Sequence, residues 1–135
     1  MPSSSELFAV TAMPRIDDGA TSDVAGFLPR VPGGKIFVVE YVNGRANLPA
    51  DQLSRFIVFC GGRQFHFSGT LVGRDVTRDE FHLSEKVMFF SNAAEGLRIN
   101  MTRFPANTDE ANGAVTLSGY LIDAPLGDAV EEGAR

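Results

Sequence analysis

Apolar positions along this chain come in short runs rich in Val, Ile and Phe, separated at regular intervals by Gly, Pro, Asn and Asp clusters. No stretch keeps the helical period over several turns. The pattern predicts an all-β protein, an antiparallel β-sandwich of jelly-roll type with about seven to eight strands. The strands it draws are Leu7–Ala12, Lys35–Asn43, Arg55–Cys60, Arg63–Leu71, Phe81–Phe90, Leu97–Arg103 and Ala114–Ile122. The best helical candidate, "PADQLSRF", runs straight into "IVFC" and reads as a bend opened by Pro49. A single β-sandwich domain is expected over residues 6–123. Residues 1–5 and 124–135 are small, polar or acidic and are expected to be flexible tails.

Two kinds of strand follow from the two-residue alternation of side chains. Leu97, Ile99 and Met101 oppose Arg98, Asn100 and Thr102, and Phe65 and Phe67 oppose Gln64, His66 and Ser68, so these strands have one wet face. Lys35–Asn43, Arg55–Cys60 and Phe81–Phe90 are instead apolar on both faces. Gly61–Gly62 joins two of the strands as a tight hairpin, because glycine accepts the positive backbone angles such a turn needs. A two-layer sandwich buries only the inner face of each sheet, so two-sided strands call for another cover. A second copy of the chain is the favoured cover. The competing covers are the N-terminal segment folded over the sheet, and a bulge that reverses the parity midway along a strand. The interface candidates are Phe37, Val39, Tyr41, Ile57, Phe59, Met88 and Phe90.

At 135 residues the chain is long enough to bury a core without staples. Its 12 basic and 17 acidic residues give a formal charge of −5, which argues against a nucleic-acid partner. The single cysteine, Cys60, excludes an internal disulfide framework and a Cys-based zinc cluster. It lies in an apolar run and is expected to be buried and structural. The start "MPSSSELFAV" has neither the basic region nor the apolar stretch of a signal peptide, and no segment reaches transmembrane length. No membrane association is expected, and a cytoplasmic location is the default, with an extracellular or virion-associated one open.

Candidate chemistry is sparse. His66 and His82 have no third ligand at metal spacing, and no G-x-S-x-G context surrounds any serine. "SGTLVG" lacks the lysine of a phosphate loop. In "GRDVTRDEFH", Asp75, Asp79 and Glu80 could surround a calcium ion, but Arg74 and Arg78 interleave them, which favours a solvated hairpin tip. "NTDEANG" is a second acidic loop of the same kind. Glu40 interrupts an apolar strand, where an unpaired charge is costly, and is expected to pair with an arginine across the sheet or across a subunit boundary.

The closing segment "NGAVTLSGYLIDA" resembles the last strand of the jelly-roll family that includes tumour necrosis factor and the complement globular head. "VPGGKIFVVEYV" together with "LSGYLID" also looks like small bacterial all-β proteins. The first resemblance implies a compact trimer that buries aromatic strands about a threefold axis. The chain shows no collagen stalk or transmembrane anchor, so receptor signalling is not carried over. The expectation is a non-enzymatic structural or binding module that self-assembles as a homo-oligomer, a trimer by that resemblance, with no cofactor and no metal. A carbohydrate-binding sandwich is the alternative, weakened by the absence of tryptophan and by only two tyrosines, Tyr41 and Tyr120. An enzyme with its site in the acidic loops ranks third.

Overall fold

A computed structural model describes residues 6–21, 30–94, 96–106 and 109–125. Residues 1–5 and 126–135, most of the expected tails, lie outside the described residues. Every regular element is a strand: β1 (Glu6–Ala12), β2 (Arg15–Ile16), β3 (Lys35–Pro49), β4 (Leu53–Cys60), β5 (Arg63–Ser68), β6 (Thr70–Arg74), β7 (Arg78–Asn92), β8 (Arg98–Phe104) and β9 (Ala111–Asp123). They form two antiparallel sheets. The larger runs β1-β9-β3-β7-β6, with β2 added on β9, and the smaller runs β5-β4-β8.

The alternation of apolar side chains decides which faces meet. From the larger sheet Phe37, Val39, Leu83, Phe89 and Leu117 point inward, and from the smaller sheet Phe56, Val58, Ile99 and Met101 meet them. Aromatic contacts join the layers directly: Phe65 of β5 stacks on Phe89 of β7 with ring centroids 3.9 Å apart. Phe8 of β1 meets Phe37 of β3 edge-on at 4.9 Å. At one end of the core the buried Arg103 donates from Nε to the Ala20 carbonyl (2.9 Å) and from its terminal nitrogens to the Asp17 and Asp109 carbonyls (3.0 and 2.5 Å). That cation ties the segment after β2 to the small sheet.

The Gly61–Gly62 hairpin forms as expected, with φ of 61° and 73°, and pairs Cys60 with Arg63 through Arg55 with Ser68. The single strand expected over Arg63–Leu71 is two. The chain leaves the small sheet at Ser68 and joins the large one at Thr70. Gly69 makes that corner because a Cβ there would lie 2.9 Å from the Phe81 Cβ. β3, β7 and β9 also extend beyond their expected limits, since cross-strand pairing carries polar residues that no hydrophobic run marks.

Candidate functional site

The outer face of the large sheet carries the feature of interest. β3 changes parity partway along. Val39 pairs with Gly119 of β9 and Tyr41 with the adjacent Ser118, so Glu40 is an extra residue, a bulge. Before it, Phe37 and Val39 face the core; after it, Val42, Ala46 and Leu48 do. The apparent dryness of β3 on both faces is therefore one inward face read through a parity switch. Gly119 permits the switch, because a Cβ there would collide with the Val38 carbonyl and come within 3.1 Å of the Glu40 amide nitrogen.

The same switch leaves a row of apolar side chains on the outside. Leu7 pairs with Tyr120, Tyr120 with Val38, and Val38 with Phe90, crossing β1, β9, β3 and β7. Ile122 and Ile36 make a second row beside it, and Tyr41 and Met88 flank it beyond the bulge. Leu7, Tyr41, Met88 and Phe90 are between 45% and 93% exposed. At about 150–250 Å² for a large side chain, their exposed parts amount to roughly 400–650 Å². That matches or exceeds the largest apolar patch of an ordinary monomer.

The seven interface candidates divide by location. Tyr41, Met88 and Phe90 lie together on this face. Phe37 and Val39 do not: both are fully buried, because the bulge turns the first half of β3 inward at the odd positions. Ile57 and Phe59 lie half-buried on the outer face of the other sheet, and the Arg98 guanidinium covers the Phe59 ring at 4.1 Å. Sequence reasoning missed Leu7, Val38 and Tyr120. Their signal is Glu40, a lone acid inside an apolar run that marks the parity break rather than an ion pair. Among the described residues, no ion pair or hydrogen bond of the Glu40 side chain is present, and the residue is half-buried.

The other chemical candidates are engaged separately. Asp79 is buried and accepts from Arg74 Nε (3.1 Å) and from the Asp51 backbone N–H (3.1 Å). The Arg74 hydrogen bonds hold its carboxyl below the usual carboxylate range against the opposing effect of burial. Asp75 accepts from the Val76 N–H at 2.6 Å, and Glu80 faces His82 at 3.7 Å. The three acids thus turn to different partners instead of converging. Cys60 is buried and its thiol donates to the Phe90 carbonyl oxygen at 3.5 Å. Among the described residues no group of three or more His, Cys, Asp or Glu side chains could hold a metal ion, and no helix is long and apolar enough to cross a membrane.

Comparison with protein-family models and with curated proteins finds no match to this chain.

Proposed function

We propose that the protein is a non-enzymatic structural or binding module of jelly-roll type that self-assembles as a homotrimer through the outer apolar face of its larger sheet. The observation that carries this reading is the exposed row Leu7, Tyr120, Val38 and Phe90, extended by Met88 and Tyr41. A stable interface removes about 800 Å² per partner from water, and this patch with its half-buried isoleucine margin approaches that size. Full burial of a large apolar side chain contributes on the order of 1.5–3 kcal/mol, so a few per subunit can outweigh the entropic cost of association.

The strand order supports the jelly-roll reading. The first strand lies beside the last, β3 beside both β9 and β7, and β4 between β5 and β8 in the opposing layer, as when a long hairpin is rolled into two sheets. The trimer rests on the resemblance of the closing strand, whose Tyr120 lies at the centre of the exposed row. The separate engagement of the acidic groups favours a non-catalytic role.

Light scattering tests the proposal. The native protein is expected to have a trimeric mass at micromolar concentration, and Phe90→Asp, an exposed position, is expected to give a folded monomer. A monomeric mass for the native protein defeats the reading. A dimer would keep the interface and remove the threefold analogy.

A further inference from the structure

The smaller sheet differs from the rest of the molecule in charge. Its three strands contain Arg55, Arg63, Arg98, Arg103 and His66 but no Asp or Glu, although the chain as a whole carries a formal charge of −5. No acid occurs anywhere between Gln52 and Arg74 or between Gly96 and Thr108. β4-β5 pairing and β8 thus bring together two acid-free stretches that are distant in sequence.

On the outer face of that sheet the arginines have different situations. Arg103 is turned inward onto carbonyls, and Arg98 lies over Phe59. Arg55 sits at the middle of a cross-strand row with Ser68 on one side and Thr102 on the other. Among the described residues its guanidinium has no salt bridge and no hydrogen bond. The strands around it are held in place, since the Thr102 hydroxyl donates to the Arg55 carbonyl at 3.4 Å. The next cross-strand pair is apolar: Leu53 and Phe104 face each other and are 72% and 69% exposed. A cavity of about 360 Å³ is lined by Leu53, Arg55, Ser68, Thr102 and Phe104. Its volume falls in the range of small-molecule sites, and its lining combines one cation, two hydroxyls and an apolar wall.

We propose that this cavity binds a small amphipathic carboxylic acid. The carboxylate would accept charge-assisted hydrogen bonds from Arg55, whose planar fork suits two oxygens, with the Ser68 and Thr102 hydroxyls beside it. The aromatic or short aliphatic body would cover Leu53 and Phe104. A polyphosphate or nucleic acid fits less well, because it needs a track of cations, whereas here one free guanidinium stands against an apolar wall. Of the two lysines, Lys35 is paired with Asp123 and Lys86 lies on the opposite sheet. The site faces away from the proposed assembly surface and is independent of it.

The test uses the full-length protein, isotope-labelled and titrated with hydrocinnamate and with its neutral amide. Saturable amide-shift changes confined to residues around Leu53, Arg55, Ser68, Thr102 and Phe104 are expected with the acid, and binding weaker by roughly tenfold or more with the amide. Arg55→Gln is expected to lose a similar factor, Arg55→Lys to keep part of it, and Arg98→Gln to leave it unchanged. Equal binding of acid and amide, shifts centred elsewhere, or no saturation at millimolar ligand overturns the proposal. The acid-to-amide contrast is read on the native protein, so it stands even if a variant fails to fold.

Discussion

Asp79 lies near the tip of the β6–β7 hairpin, yet its side chain is 1% exposed and is held by Arg74 and by the Asp51 amide. Asp51 adopts a φ of 65°, a conformation that Asp tolerates better than most residues. Buried carboxylates are stable as anions only when charge and hydrogen bonds replace the water they lose, and here both come from neighbours. The Arg74 hydrogen bond is the largest influence, so the folded-state pKa lies below the unfolded value of about 3.9. The sign follows: a depressed carboxylate contributes stability above the unfolded pKa, and the contribution is lost as pH falls through the folded pKa. Arg74 stays charged across this window, its own pKa being raised by the same contact. Asp79→Asn is therefore expected to lower the urea midpoint at neutral pH, and the gap to the native protein is expected to close under acid conditions. A gap that stays constant with pH would show that the pair contributes nothing through ionisation.

β3 shows how one inserted residue governs an element. Side chains alternate strictly in a strand, so a one-residue slip exchanges the buried and exposed sets. Glu40 supplies that slip, and Gly119 on the neighbouring strand leaves room for it. Deleting Glu40 is expected to set the two halves of β3 in conflict, sending either Phe37 and Val39 or Val42, Ala46 and Leu48 outward, and to abolish the cooperative thermal transition. Glu40→Ala keeps the residue count and, with no ion pair at risk among the described residues, is expected to change stability by less than about 0.5 kcal/mol. Gly119→Ala is expected to destabilise by about 1–3 kcal/mol, because the obstructing atoms are backbone and cannot swing aside. A deletion variant that melts like the native protein would show that the bulge does not set the parity.

At the scale of the molecule the two sheets present different outer surfaces. The large one carries the apolar row, then turns polar at its far end, where Arg45, Asn47, Glu80 and Asn112 surround a cavity of about 200 Å³. The small one is cationic with a separate apolar pair, Leu53 and Phe104. If the apolar row joins copies, association stabilises the folded chain by mass action. The thermal midpoint of the native protein is then expected to rise with protein concentration, whereas that of Phe90→Asp is expected to stay constant. Calorimetry over a hundredfold range of concentration checks this, and a concentration-independent native midpoint counts against assembly.

The sequence alone determined the class of the protein and the position of most strands, because apolar alternation and glycine-rich turns are local properties. The β4–β5 hairpin is legible in "IVFCGGRQFHF" for that reason. It also showed that Tyr41, Met88 and Phe90 belong to strands with apolar residues on both faces, but alternation does not say which face is inside. Only the tertiary structure decided that Phe37 and Val39 are core, since the parity of β3 depends on how Glu40 is accommodated against Gly119, about eighty positions along the chain. The split of the expected Arg63–Leu71 strand likewise depends on Gly69 meeting Phe81 of another strand. The row from Leu7 to Phe90 and the gathering of Arg55 with Thr102 and Phe104 are cross-strand neighbourhoods. They arise from register between distant segments, which no local pattern encodes.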